Sequence, residues 1–164
     1  MTPTLRRAGP EEDWTTIHRF VLKAFQHMDG RIDPPSSIHR WTPGLFAAEA
    51  GAGAAFLAFA DGRLIGCLFA RPERNALYLG KVAVAAEWRG HGLARALVGA
   101  AEAEARARGM NALVLQTRIE LRETHAAFAA LGFARIAMTR HPGFDRPTSI
   151  IMSKSLAGQG RRAV

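Results

Sequence analysis

Arg89-Gly90-His91-Gly92-Leu93-Ala94 is the stretch of this chain whose residue types and spacing say most about chemistry. Upstream of it, Tyr78 to Val84 is apolar and β-branched enough to be a buried strand; downstream, Leu93 to Arg108 has the alanine, leucine, glutamate and arginine content of a helix. Two glycines at the mouth of a helix let a ligand approach the backbone closely. The unpaired N–H groups of the first turn and the positive end of the helix dipole then favour an anion. The arrangement is a phosphate cradle. No Lys-Ser/Thr pair follows the glycines, which excludes a nucleotide-triphosphatase loop. Arg95 stands where a dinucleotide fold needs glycine or alanine for close packing, which excludes that motif too.

What remains is a strand, the short connection Ala85-Ala86-Glu87-Trp88, and Arg-Gly-x-Gly-Leu-Ala opening a helix. This resembles the pyrophosphate-binding motif of the GCN5-related N-acetyltransferases (GNAT). Further along, Phe128-Ala129-Ala130-Leu131-Gly132-Phe133 looks like that family's aromatic-x-x-x-Gly-Phe segment near the second half of the acyl-CoA site. The two motifs stand in the family's order. The resemblance implies acetyl-CoA as cosubstrate and transfer of the acetyl group to a primary amine by direct attack with both substrates bound; no His or acid spacing in the chain resembles a metal site, so no metal is expected. It also implies the binding residues: Arg89, Gly90, His91, Gly92, Leu93, Ala94 and Arg95 at the cradle, the backbone groups of Val82, Ala83 and Val84, and Thr124 and Phe128 on the later helix.

The chain departs from the family pattern at three positions that matter for catalysis. Many members have a tyrosine, able to protonate the departing thiolate, where Phe128 stands here. Many have an asparagine where Leu121 or Thr124 falls, and some have a glutamate base where the central strand carries Tyr78. A tyrosine with an ordinary pKa near 10 is a poor base but can hold a water, so Tyr78 is the candidate catalytic residue, with His125 and His141 behind it. The missing tyrosine also leaves a second reading open, a non-catalytic acyl-CoA sensor or interaction module.

The elements that position these residues follow from periodicity and punctuation. Thr4 to Ala8 reads as a first strand, and Pro10 as the start of a helix whose acidic first turn, Glu11-Glu12-Asp13, suits the dipole. Trp14, Ile17, Val21, Ala24, Phe25 and Met28 give that helix its apolar stripe. Residues 29–42, interrupted by Pro34-Pro35, form a shaped loop, and a short helix follows from Pro43 to Ala50. Asp61-Gly62 closes a hairpin between Ala54–Ala60 and Arg63–Arg71. Pro72 to Ala76 turns the chain into the central strand, and Ala112 to Gln116 is a strand parallel to it across the intervening helix. A helix from about Leu121 to Leu131 stops at Gly132, and Phe133–Arg140 and Ser149–Ser155 form a terminal hairpin. The fold class is α/β (α+β): a mixed, mostly antiparallel sheet with helices on both faces and, by the resemblance, a splayed parallel pair that admits the pantetheine arm. The loops at 29–42 and 141–147 are the expected walls of the acceptor pocket. Asp29, Asp33 and Asp145, with His39 and Trp41, are the groups expected to receive an ammonium.

Composition narrows the function classes. With 164 residues, 48% of them hydrophobic, the chain suits one domain, taken as 1–156, followed by a basic tail at 157–164 that reads as frayed. The polar, basic start and the lack of a long apolar run lead to a cytoplasmic expectation with no membrane partner. The lone Cys67 lies among Leu64, Ile65, Leu68 and Phe69 and suits a core position better than a nucleophile. A net charge of +8 raises the question of nucleic acid. The arginines are scattered, without the interleaved exposed aromatics of a single-strand binder, and a diffuse basic surface equally suits a phosphate-rich acyl-CoA. The sequence leaves open both the identity of the amine and whether the protein is a homodimer.

Overall fold

Apolar strands joined by tight turns make residues 54–84 a three-stranded antiparallel meander, the spine of the sheet in the computed structural model, which describes residues 2–156. In chain order the elements are β1 (Thr4–Arg7), α1 (Trp14–Ala24), α2 (Pro43–Ala52), β2 (Ala54–Ala60), β3 (Arg63–Glu73), β4 (Ala76–Val84), α3 (Leu93–Ala107), β5 (Ala112–Arg118), α4 (Arg122–Ala130), β6 (Ala134–Thr139) and β7 (Ser149–Ser155). Seven strands form one sheet in the order β1-β2-β3-β4-β5-β7-β6. Among the described residues, only β4 and β5 pair in parallel. The sheet is therefore mixed and mostly antiparallel, as expected from the sequence. The expected tail at 157–164 lies outside the described residues.

Two apolar layers sandwich the sheet. On one face α3 presses Leu93, Leu97, Val98, Ala101 and Ala105 against Leu68, Leu77, Leu79, Leu113 and their neighbours. On the other, Ile17 and Val21 of α1 and Phe46 of α2 meet Leu57, Cys67 and Phe69. Phe46, wholly buried, stacks at tilted angles on Trp41, 4.8 Å away, and on Phe69, 5.2 Å away. Such ring pairs add to burial and fix how α2 lies on the sheet. The Asp61-Gly62 hairpin has φ of 51° and 73°, the double left-handed geometry of a type I′ turn that Asp-Gly favours.

Several elements differ from the sequence expectation, and three of the differences have a clear local reason. Helix α1 starts at Trp14 and not at Pro10, because Asp13 is its N-cap, accepting from the Thr16 N–H at 3.0 Å. Glu12 is drawn away from the helix: it pairs with Arg6 at 2.7 Å and accepts from the Gly9 N–H. Strand β3 runs on through Pro72 to Glu73, so the turn into β4 is only Arg74-Asn75, with Arg74 at φ 60°. The loop at 29–42 holds a 3-10 turn at Ser37–Arg40, capped by Ser36 and anchored by the buried Ile38.

Gly53, between α2 and β2, makes the closest backbone approach of the described glycines: a Cβ there would lie 2.0 Å from the Ala70 carbonyl oxygen. Gly53→Ala should cost about 2 kcal/mol or more, a fall of roughly 4–8 °C in Tm. Gly51→Ala, in the last turn of α2 with nothing within 4 Å of the added carbon, should instead stabilise by about 0.5–1 kcal/mol. Thermal melts of the two variants check both signs.

Candidate active site

The cradle is built by backbone geometry alone. Gly90 and Gly92 sit at φ 78° and 80°, and a Cβ on either would meet nothing within 4 Å. Gly92 is the N-cap of α3, and no side chain caps it. The first-turn N–H groups of Leu93, Ala94 and Arg95, which no helical carbonyl can satisfy, thus face open space at the positive end of a fifteen-residue helix. The residues named for this loop have different parts: Arg89, His91 and Arg95 are exposed, whereas the Leu93 side chain is core and only its N–H faces outward. His91 Nδ1 lies 3.0 Å from the Arg89 carbonyl and its ring 5.6 Å from Trp88, which braces the loop from within.

The strand leading into the cradle has a free edge. Strands β4 and β5 pair only from Ala76 opposite Ala112 to Leu79 opposite Leu115. Past that point β4 stays on β3 and β5 stays on β7, and the sheet opens between them. The register of β4 on β3 slips just there, where Lys81 takes a φ of 50° that only a minority of side-chain-bearing residues adopt. Beyond this bulge the Ala85 N–H donates to the Ile65 carbonyl at 2.8 Å, so by strand alternation Ala83 also faces β3. The Ala83 N–H lies by the Cys67 thiol, and its side chain is core. Of the three residues named for backbone contacts, Val82 and Val84 face the gap and Ala83 does not.

The gap opens into a cavity of about 640 Å³, a size usual for small-ligand sites. Tyr78, Thr124, Phe128 and His141 all line it. The Arg71 guanidinium lies 4.5 Å from the centre of the Tyr78 ring, and among the described residues the Tyr78 hydroxyl has no protein hydrogen-bond partner. Burial raises its pKa, partly offset by the Arg71 charge, so the hydroxyl stays neutral and can hold a water. Phe128 meets Phe133 edge-on at 5.6 Å and offers no proton. His141 lies 2.5 Å from the Thr148 hydroxyl through Nδ1, and burial, aided by Arg118, lowers its pKa. His125 is placed differently: its Nε2 is 2.8 Å from the Arg118 carbonyl, holding α4 to β5, and it does not line the cavity. The Cys67 thiol, wholly buried, is pushed up to about 12 and is a core group.

The loops do meet, since Arg146 of the second reaches Asp33 of the first at 3.2 Å. That contact turns Asp33 away from the cavity, and His39 occupies Asp29 in the same way at 3.0 Å. Neither they nor Asp145 is a cavity wall, whereas Trp41 is. The wall residue that sequence reasoning passed over is Lys81, whose Nζ sits 4.2 Å from the centre of the Trp41 ring. Burial pushes its ammonium down to about 8, with Glu49 opposing the shift and Arg71 adding to it. The only sequence signal was Gly80-Lys81 interrupting an otherwise apolar strand.

A mixed sheet parted at its parallel pair, with an anion cradle at the end of the parted strand, defines an acyltransferase fold. The chain belongs to the acetyltransferase (GNAT) family, whose model matches residues 14–133, and it is an acetyltransferase. Similar solved structures include the ribosomal-protein-S18-alanine N-acetyltransferase from Escherichia coli (22% identity, 99% of both chains, TM-score 0.69). The PaiA N-acetyltransferase from Thermoplasma acidophilum in complex with coenzyme A is 18% identical over 94% of this chain and 99% of that one, with a TM-score of 0.78. The IAA acetyltransferase from Bacillus cereus is 18% identical over 94% and 100%, with a TM-score of 0.68. At these identities the likeness is one of fold. No curated protein matches the chain in sequence. Among the described residues, no helix is long and apolar enough to cross a membrane.

The Lys81 environment has a measurable consequence. Below about pH 8 its ammonium is charged in both folded and unfolded chains, and only the folded one bears the desolvation cost. Lys81→Met should therefore be more stable than wild type at pH 7, by about 2 kcal/mol. The difference should close as pH rises from about 8 toward 10.5, where the folded chain has lost its proton and the unfolded chain is losing it. Chemical denaturation at pH 7 and pH 10 tests this; a difference independent of pH would mean that Lys81 is charged at no cost.

Proposed function

We propose that the protein transfers the acetyl group of acetyl-CoA to a primary amine by direct attack, with both substrates bound together. The observation that carries this is the parted β4–β5 pair: a free strand edge that leads from a ligand-sized cavity to a glycine cradle with unsatisfied N–H groups. These residues fit the cosubstrate. The cradle offers backbone donors, open space over Gly90 and Gly92, and the charges of Arg89 and Arg95 to a pyrophosphate. Val82 and Val84 offer strand groups to the amides of the pantetheine arm, and Thr124 and Phe128 flank it from α4. The thioester supplies the acyl group and a thiolate leaving group whose pKa resembles that of cysteine, near 8.5.

The protein's own part is placement and proton management. Phe128 provides packing and no proton, and a thiolate of that basicity departs without full protonation; a missing positioned acid costs at most the roughly 10²- to 10⁴-fold typical of such groups. Tyr78 holds a water that carries the proton away from the attacking amine. His141, neutral at pH 7 because its pKa is lowered, is the nearer of the two histidines to this task, and His125 is spent on structure.

Two results test this reading. Acetyl-CoA at about 100 times its Kd should stabilise the fold by about 2.7 kcal/mol, and Gly92→Val should remove that stabilisation, because a branched residue fits φ 80° poorly and enters the space a pyrophosphate needs. An unchanged shift in the variant would displace the cradle. Tyr78→Phe should lower turnover about ten-fold or more at unchanged acetyl-CoA affinity, and wild-type turnover should keep rising with pH past the histidine range. A plateau already reached below about pH 6.5, where the lowered His141 pKa lies, that vanishes in His141→Ala would hand the role to that histidine.

A further inference from the structure

The cavity walls are cationic in a way that the cosubstrate does not explain. Arg40, Arg71, Lys81 and Arg118 line it, and Glu49 is the one acid among its described lining side chains. Glu49 is shared, lying 3.5 Å from Arg71, and Glu73 takes the other side of that guanidinium at the same distance. Arg118 spends its N–H groups on the Pro34 and Pro35 carbonyls, which fix the loop, and although Glu120 and Asp33 lie close enough to act on its charge, neither forms an ion pair with it. Arg40 makes no hydrogen bond or ion pair among the described residues and is exposed at the cavity wall. The cradle that suits the cosubstrate's phosphates lies past Val84, beyond the other end of β4. The acids that an all-cationic amine would need, Asp29 and Asp33, are turned outward and paired with His39 and Arg146.

We infer that the acceptor is a small amine that carries a carboxylate, as an amino acid does, with the carboxylate seated among Arg40, Lys81 and Arg118 and the amine turned toward Tyr78. This rests on the transferase reading above and narrows its acceptor. A cavity of about 640 Å³ that also takes the end of the pantetheine arm leaves room for a small molecule. A carboxylate in this field gains charge-assisted hydrogen bonds, whereas a simple ammonium entering alone meets repulsion. In the ternary complex the new bond joins the amine nitrogen to the acetyl carbon, the carbon–sulfur bond breaks, and one proton leaves the nitrogen for the Tyr78-held water. The other product is CoA.

The test uses the intact protein and matched probes: leucine, methionine, glutamate and histidine, each against its own carboxamide. CoA release and calorimetric binding to the CoA-loaded protein are measured in parallel. The carboxamide has the less basic amine, so intrinsic reactivity at neutral pH favours it, and any preference for the acid comes from the site. The expected result is a kcat/KM at least about ten-fold higher for the acid of one or more pairs. Arg40→Gln and Lys81→Gln should each shrink that preference by raising KM for the acid and sparing KM for the amide and for acetyl-CoA. Arg40 is exposed and unbonded, so the variant at that position keeps the test valid should Lys81→Gln fold poorly. Carboxamides turned over as well as or better than the acids would overturn the inference and leave the transferase reading standing. Acids that bind the CoA complex selectively without CoA release would support the anionic site and count against the transferase reading. If no acid is either turned over or selectively bound, the inference is overturned.

Discussion

A buried strand edge must have its hydrogen bonds met, and in this protein one edge goes unmet within the sheet. Strands β4 and β5 begin as partners and separate after Leu79 and Leu115, each retaining its outer neighbour. An unpaired buried N–H or C=O costs energy comparable to a lost hydrogen bond, so the split persists only because something polar can enter it. The rest of the structure serves that opening. The bulge at Lys81 bends β4 at the point of divergence, β7 pairs with β5 in place of β4, and α3 starts at Gly92 just beyond the freed edge. Cavity and cradle are thus two ends of one interruption in a single ladder.

Much of this was legible because it is local. The Asp-Gly hairpin, the glycine-led start of α3 and the apolar strand before it are written in contiguous residues, and each formed as read. What was lost was set by partners far away in sequence. Glu12 looked like a helix-start acid until Arg6 claimed it, and Asp29 and Asp33 looked like ligand groups until His39 and Arg146 did the same. His125 looked like a base and became a brace on the Arg118 carbonyl. Short-range pattern shows that a polar group exists; only the fold shows whether it has already been spent.

Lys81 is the opposite case, a residue that pattern makes look bland. A lysine in a strand ordinarily reads as a solvated edge position. The bulge that puts it in the wall depends on the pairing of β3 with β4, which no single segment encodes. The same slip sets Ala83 apart from Val82 and Val84. Alternation gives two of them to the gap and one to β3, and the phase of that alternation is fixed by the Ala85 bond to Ile65.

The cationic wall also bears on the hardest chemical step. An alkyl ammonium with a pKa near 10.4 is almost wholly charged at neutral pH and cannot attack a carbonyl. Family members that carry a carboxylate at the Tyr78 position can take up that proton directly; this chain has none there. Its cavity works on the equilibrium instead. The Lys81 ammonium, itself an alkylamine, is pushed down to about 8 by burial, which Glu49 opposes more than Arg71 assists. On the proposed reading, an acceptor amine bound in the same surroundings would meet the same desolvation. Each unit by which its pKa falls raises the neutral fraction near ten-fold and removes about 1.4 kcal/mol from the cost of deprotonation. On the inference drawn above, a carboxylate on the acceptor would meet Arg40 and Arg118 and so bring into this cavity an amine that would otherwise avoid it. On the proposed reading, the burial that selects a small acceptor would also ready its nitrogen, and a neutral tyrosine with a water would then suffice to carry the proton out.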